Sequence, residues 1–289
     1  MKIVTNDYGC GTSSSILDYG IDDVIVVSEN NWKHIFEAND DLLFIGHDFL
    51  MYMWDTDEKV QNLKNYPHAK IVWCFERIDA IIPAWRQKSF FSLSMIQLFA
   101  DEILACDEDD CDKMGFKWLP QWASNQFFEL RSQEPNNHSD ILFSGQAGKP
   151  EYQARNNLLA ACQSSSFLKD RLKITNIDRS LTWPQYIQNL LNYNVIINPV
   201  GVLKALNTRA YEGLYSGRWV LQHQIGKYER HLDLLKNDAN IVFFQDYNDL
   251  LKKIEMIDTL NPVTEEEIRK SYEKHSLHAR MKSLGIELK

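Results

Sequence analysis

The chain has 289 residues, enough to bury one large core or two of ordinary size, and the usual domain length favours two. Its 31 Lys and Arg stand against 40 Asp and Glu, and the formal charge of −9 argues against a protein whose whole surface holds nucleic-acid phosphates. The five cysteines form no CxxC pair, the start shows no signal-peptide pattern and no apolar run could span a bilayer, so the composition predicts a soluble cytoplasmic protein.

The first half of the chain alternates short apolar runs with polar segments that suit helices. The predicted strands are the runs 2–5, 23–27, 41–46, 70–75 and 103–106. Runs that are apolar on both faces are typical of parallel strands covered by helices on both sides. We therefore predict a Rossmann-like domain over residues 1–130.

A polar stretch, residues 131–139 (RSQEPNNHS), precedes a second alternating series and is interpreted as a link between two domains. The strands predicted after it are 140–145, 172–175, 195–199, 219–221 and 240–244. They predict a second Rossmann-like domain over residues 140–289. The expected fold class is α/β with two Rossmann-like domains.

A glycine loop leaves the first strand of the second series. Gly145 begins the loop, Lys149 lies within it, and Arg155 follows at the start of a predicted helix. Such a turn can present backbone N–H groups and cations to a diphosphate, because helix amino ends attract anions. The alternative is that Lys149 and Arg155 are ordinary surface charges.

The stretch 207–217 (NTRAYEGLYSG) follows the predicted strand 195–199. It predicts a helix from Arg209 to Ser216 that Gly217 ends, with Glu212 away from the apolar face. In open α/β sheets, ligands bind beyond the carboxyl ends of the strands. Glu212 could therefore accept hydrogen bonds from ribose hydroxyls, and Arg209 could lie beside phosphates. An amphipathic crossover helix with solvated charges is the alternative.

Ionisable residues also follow two strands of the first half. His47 and Asp48 come after one strand, and Glu76 and Asp79 come after another. Any of the four could take a proton from an acceptor hydroxyl, although residues at such positions are more often helix caps or partners in ion pairs.

An acidic run, residues 107–110 (DEDD), is the nearest approach to a metal site in the sequence. Acidic residues at the start of a helical segment are more typical of a solvated cap or turn. The sequence therefore predicts no metal site.

Several motifs resemble the nucleotide-binding domain of GT-B glycosyltransferases, and specifically the branch related to the spore maturation protein CgeB. The motifs of the second half are 140–145 (DILFSG), 155–159 (RNNLL), 193–199 (YNVIINP), 207–212 (NTRAYE) with Gly217, 240–244 (NIVFF), 249–251 (DLL), and His275-Ser276 with Arg280. In the first half the similarity is confined mainly to 118–121 (WLPQ).

The resemblance implies two domains that face a cleft, with an acceptor on residues 1–130 and a nucleotide-sugar donor on residues 140–289. It implies a hexosyltransferase-like enzyme that works without a metal and needs no cofactor besides the donor. Within the 207–212 motif, which includes Asn207, Glu212 matches the family's ribose-contacting glutamate. Arg155 and Lys149 match basic residues that hold the donor diphosphate.

One position departs from the pattern of retaining relatives. Those enzymes often carry a second glutamate eight residues before the first, where this chain has Lys204. Lys204 could itself approach a phosphate, but the departure argues against a retaining mechanism of the usual two-glutamate type.

Two other functions fit the same residues. One is a nucleotide- or sugar-binding module without turnover, and the other is a phage-type transferase that acts on DNA bases. The formal charge of −9 argues against the transferase that acts on DNA, because DNA binding relies on positive charge. A hydroxyl of a glycan, a lipid or a small molecule is therefore the expected acceptor, in preference to one of DNA.

Overall fold

A computed structural model describes residues 1–6, 12–28, 31–46, 57–75, 78, 93–135, 137–178, 180–200, 206–224 and 229–288. The chain divides into two compact units. Unit 1 is Met1–Gln121 with Arg280–Lys289, and unit 2 is Trp122–Ala279. The division falls nearer the amino terminus than the stretch 131–139 interpreted as a linker, which lies inside unit 2.

The strands of unit 1 are β1 Lys2–Asn6, β2 Val24–Val27, β3 Leu42–Ile45, β4 Lys70–Cys74, β5 Glu102–Ala105 and β6 Lys117–Trp118. The strands of unit 2 are β7 Asn137–Ser144, β8 Leu172–Thr175, β9 Tyr193–Asn198, β10 Trp219–His223 and β11 Ile241–Phe244. The helices are α1 Thr12–Leu17, α2 Asp57–Asn65, α3 Glu108–Met114, α4 Gln126–Glu129, α5 Gln153–Ser164, α6 Trp183–Leu191, α7 Thr208–Tyr215, α8 Glu229–Leu235, α9 Tyr247–Ile257, α10 Glu265–His275 and α11 Leu277–Ser283. Short 3₁₀ helices are formed by Trp32–Glu37 and Pro150–Tyr152.

Unit 1 contains a parallel sheet in the order β2-β1-β3-β4-β5-β6. Every residue of β3 is buried, as expected for a strand covered on both faces. One core of this unit includes Val4, Phe44 and Val72 from neighbouring strands. The alternation of apolar runs in the first half therefore correctly predicted a parallel sheet.

Unit 2 contains a second parallel sheet, in the order β11-β10-β9-β7-β8. Ile196 of β9 packs into one core with α6 and α7, whereas its neighbours Val195 and Ile197 pack into another with α5 and α9. Successive residues of a strand point to opposite faces, so an uninterrupted apolar run is needed when helices cover both. The predicted α/β class with two parallel sheets is confirmed.

Helix α7 begins where the sequence predicted a helix, one residue earlier than expected. Asn207 caps it, because the Asn207 Oδ1 atom accepts the backbone N–H of Arg209 at 3.1 Å. The helix ends at Tyr215, two residues before Gly217, whose φ is +69°. Among the described residues, α7 is the first helix after β9, which ends at Asn198.

Close packing of α7 on the sheet depends on Gly213. A Cβ atom added there would lie 2.3 Å from Cγ2 of the buried Val220 in β10. We expect Gly213→Ala to lower the free energy of unfolding by about 1–3 kcal/mol, because overpacking outweighs the better helix propensity of Ala. Urea denaturation would measure this.

Val220→Ala is the matched rescue, since it removes the methyl group that a residue 213 side chain would strike. The double variant should recover part of the loss caused by Gly213→Ala. Equal stability of Gly213→Ala and the unmodified protein would contradict the close approach.

Within the described ranges, none of the helices combines the length and the hydropathy that a membrane crossing requires.

Candidate functional site

The candidate site lies at the carboxyl edge of the sheet in unit 2. Strands β7 and β10 both pair with β9, so the segments that follow them meet at one edge. Gly145 follows β7, and α7 begins after β9. A Cβ atom at Gly145, which has a φ of +150°, would lie 2.2 Å from Nη2 of Arg209. The loop after β7 and the first turn of α7 are therefore in direct contact, as the nucleotide-site hypothesis requires.

Arg209 is hydrogen-bonded to the side-chain amide of Asn198, which is in turn bonded to the amide of Gln222 on the neighbouring strand. Its Nη1 atom donates to Asn198 Oδ1 at 3.0 Å. Asn198 Nδ2 in turn donates to Gln222 Oε1 at 2.7 Å, and both amide residues are buried. These contacts fix the guanidinium while Nε of Arg209, also buried, finds no hydrogen-bond partner among the described residues.

Sequence reasoning missed Asn198 and Gln222 as parts of the site. A signal was present, because each is a polar residue at the end of an otherwise apolar run. Polar residues at such positions are costly unless they make hydrogen bonds. Here Asn198 and Gln222 bond each other, and Asn198 also accepts a bond from the arginine.

Arg155 is the second buried cation of the site. It is 5% exposed, and its Nη1 atom donates to the carbonyl of Gln146 at 2.5 Å. The guanidinium carbon lies 4.8 Å from the ring centre of Tyr152. Burial, followed by the nearby charge of Arg209, lowers the pKa of Arg155 to about 9. The group is still protonated at neutral pH, at a cost that a bound anion would offset.

Both guanidinium groups lie over the same buried ring, that of Phe143. The distances from the guanidinium carbons to the ring centre are 5.5 Å for Arg155 and 5.3 Å for Arg209. Arg209 interacts electrostatically with Glu212, whereas no carboxylate of the described residues acts on Arg155. The site therefore concentrates positive charge at the edge where the sequence predicted a diphosphate.

The glycine loop is braced from within. The Gly148 N–H donates to Asn156 Oδ1 at 2.8 Å, and Asn156 Nδ2 donates to the carbonyl of Lys149 at 2.9 Å. The Gly148 amide is thus already engaged inside the loop. Lys149 is exposed at the start of a 3₁₀ helix, and its contact with phosphate stays a prediction.

Glu212 is a buried carboxylate with two hydroxyl partners. It is 4% exposed, and its Oε2 atom accepts the Tyr186 hydroxyl at 2.5 Å. Its Oε1 atom accepts the Thr208 hydroxyl at 2.9 Å. Burial raises the pKa of Glu212 above its ordinary value, against the opposing effects of Tyr186, Arg209 and Thr208. Each carboxylate oxygen retains the capacity to accept a further hydrogen bond.

Five predicted site residues, His47, Asp48, Glu76, Asp79 and Lys204, lie outside the described residues. The structure brings together Gly145, Arg155, Arg209 and Glu212, with Asn207 capping the helix that carries the last two.

Carboxylates of the acidic run 107–110 accept hydrogen bonds from backbone N–H groups. Asp107 caps α3, its Oδ1 atom accepting the Asp110 N–H at 3.1 Å. Asp110 Oδ2 accepts the Ile78 N–H at 2.6 Å. Within the described ranges, no group of three or more His, Cys, Asp or Glu is placed to hold a metal ion.

Comparison with known proteins identifies the fold. No family model matches the sequence, and no curated protein matches it. Among solved structures, Anabaena HepE in complex with UDP-glucose matches over 99% of this chain and 98% of its own, with a TM-score of 0.61 and 10% identity. The same protein has been solved with UDP and with UDP and glucose.

Two further structures are similar at comparable levels. The UDP-forming α,α-trehalose-phosphate synthase of Burkholderia vietnamiensis matches over 96% of this chain and 81% of its own, with a TM-score of 0.51 and 9% identity. A variant of S. aureus TarM, in complex with UDP among other ligands, matches over 84% and 54%, with a TM-score of 0.55 and 14% identity. These neighbours are GT-B glycosyltransferases. The chain therefore has the α/β fold with two parallel sheets that GT-B glycosyltransferases share.

Proposed function

We propose that this protein is a glycosyltransferase that moves a sugar from a nucleoside diphosphate donor to a hydroxyl acceptor. The observation that carries the proposal is the cluster formed by Arg155, Arg209 and Glu212 at the carboxyl edge of the second sheet. The ligands of the HepE structures, UDP and UDP-glucose, support the same donor class.

The two arginines suit the leaving group of such a reaction. Breaking the bond between sugar and diphosphate leaves negative charge on the diphosphate, and fixed cations at that point lower the barrier. Guanidinium groups bind phosphate oxygens with two parallel N–H donors. Both Nε atoms are buried without partners among the described residues, so Arg155 and Arg209 retain donors for a ligand.

Glu212 suits the ribose. A carboxylate accepts hydrogen bonds only, and ribose hydroxyls can donate them. Because Glu212 and Arg209 lie on the same turn of α7, one helix would contact ribose and phosphate together.

We further propose a metal-independent, hexosyl-transferring reaction of the CgeB-related branch. The arginine pair supports metal independence, because it supplies positive charge that a divalent cation supplies elsewhere. The UDP-glucose of the HepE structure supports a hexose donor, and the motif 207–212 supports the branch. His47, Asp48, Glu76 and Asp79 remain the candidates for base or acceptor positioning, and Lys204 for a phosphate contact.

Calorimetric titration with uridine, UMP, UDP and UDP-glucose, in buffer containing EDTA, tests this proposal. We expect affinity to rise with each phosphate, because the cations face the diphosphate and not the base. Lys149→Ala should weaken UDP binding by about twofold to fivefold, as an exposed charge does, and should leave uridine binding unchanged. Lys173→Ala, which removes an exposed lysine of β8, is the matched control.

Two results would contradict the proposal. If none of the four ligands binds, a uridine diphosphate sugar is excluded as the donor. Binding of UDP no tighter than that of uridine would exclude the assignment of Arg155 and Arg209 to the diphosphate.

A further inference from the structure

The groups around the buried Glu212 carboxylate have a role that rests on the proposed function. An ionised carboxylate loses hydration when it is buried, and it stays charged only where hydrogen bonds replace the lost water. Glu212 is buried and receives one hydroxyl on each oxygen, from Tyr186 and from Thr208. The two donors come from different helices, α6 and α7.

The Tyr186 hydroxyl is aimed by its surroundings and not only by the hydrogen bond. The Tyr186 ring stacks on that of Trp183, with ring centres 5.6 Å apart and planes at 18°. The ring of the fully buried Phe127 meets it edge-on at 6.4 Å and 88°. Offset stacking and edge contacts of this kind hold an aromatic side chain in one orientation.

Helix α6 is itself anchored at the end that carries Tyr186. Thr182 and Gln185 form a reciprocal capping box at its amino end. Asn189, one turn further along, donates to Thr175 Oγ1 at 2.8 Å at the end of β8. Tyr186 therefore reaches Glu212 from a helix tied to the same sheet edge.

Among the residues that the structure describes, few charged groups act on the Glu212 carboxylate. Of the described groups, Tyr186 faces it from α6, and Arg209 acts on it from its own helix. Helix α10 packs against α7 through Tyr272 and His275, whose rings lie against Tyr215 and Tyr211. The hydroxyls of Tyr186 and Thr208 favour the charged form, against the opposing effect of burial on the pKa.

We infer that Tyr186 and Thr208 are positioning residues for Glu212, which keep its carboxylate charged and directed so that it accepts the ribose hydroxyls of the donor. Neither residue needs to touch the donor. Their contribution reaches the ligand through Glu212.

The test is the pH dependence of UDP-glucose binding by the full chain. UDP-glucose is the probe because both of its phosphates are esterified and do not titrate between pH 5 and 8. Affinity should fall at low pH as Glu212 takes a proton. Tyr186→Phe removes a donor to the charged form, so the midpoint of that fall should move to higher pH, with affinity at pH 7 weakened about fivefold.

Thr208→Val removes the donor to the other oxygen and should move the midpoint in the same direction. If Tyr186→Phe does not fold, the midpoint measured for Thr208→Val is sufficient for the test. Tyr193→Phe, which removes a hydroxyl at the start of β9, is the matched control and should leave the midpoint unchanged.

The outcomes separate the two proposals. If the unmodified protein does not bind UDP-glucose, UDP-glucose is excluded as the donor of the proposed function. If it binds, but both variants keep its midpoint and change affinity equally at every pH or not at all, the positioning role is wrong.

Discussion

Gly145→Ala is expected to weaken UDP binding by about 10- to 100-fold, the effect of losing a hydrogen bond to a charged group, while the protein stays folded. The new methyl group would occupy the place of Arg209 Nη2, which lies 2.2 Å from the Cβ position. The end of an arginine can move, so the guanidinium should leave Asn198 and the position beside the diphosphate that we propose for it. Calorimetry with UDP measures the effect.

Backbone strain is a separate consequence of the same substitution. Gly145 has a φ of +150°, and a side chain there costs about 1–3 kcal/mol. Gly148 is the matched control, because its φ is +83° but no atom lies within 4 Å of its Cβ position. Gly148→Ala should lower stability and leave UDP affinity nearly unchanged.

A double-mutant cycle identifies the route of the effect. Arg209→Met should weaken UDP binding as strongly as Gly145→Ala, and the double variant should be little worse than either single variant. Additive losses would show that Gly145 acts independently of Arg209, contrary to the contact seen between them.

Glu212→Gln is expected to weaken UDP binding by about 100-fold or more, because two ribose hydroxyls would lose a charged acceptor in the donor complex that we propose. At the same time it should not lower the stability of the protein at pH 7. The amide has nearly the shape of the carboxylate and carries no charge, so the burial of residue 212 becomes less costly.

The sign of the stability effect follows from the pKa. Burial raises the pKa of Glu212 in the folded protein above the ordinary 4.5. The folded state then binds more protons, so the contribution of Glu212 to stability is complete below about pH 4.5 and is lost as pH rises through the folded pKa. In urea denaturation, the free energy of unfolding of Glu212→Gln should therefore rise relative to that of the unmodified protein between pH 4 and pH 7.

Asp238→Asn is the contrasting control. Burial acts to raise the pKa of Asp238, but hydrogen bonds and charge from His275, with Ser271 and Lys274, hold it below the ordinary 3.8. Its stabilising contribution is present above pH 3.8 and is lost as pH falls through the folded pKa. Asp238→Asn should thus lower stability at pH 7 by about 1–3 kcal/mol. If Glu212→Gln lowers the free energy of unfolding by a similar amount, the Glu212 carboxylate stabilises the fold, contrary to our expectation.

Local patterns in the sequence determined much of the fold. Apolar runs such as 195–199 predicted strands covered on both faces, because a parallel strand needs apolar side chains on each side. The periodicity of 209–216 with Gly217 predicted α7 within one residue at either end. Parallel strands end at one edge, so the sequence also predicted that the loop at Gly145 and the start of α7 would meet.

The partners of the site residues were decided only by the tertiary structure. Tyr186 and Glu212 form a hydrogen bond although they lie 26 residues apart, and Arg209 of α7 bonds Asn198 of β9. Sequence spacing predicts neighbours within one helix or strand, but it does not specify how a residue on α6 faces one on α7. The same limit explains the unit boundary. Arg280 Nε donates to the carbonyl of Gln121 at 3.3 Å, although the two residues lie 159 positions apart. Both belong to unit 1, and no local sequence pattern predicts this contact.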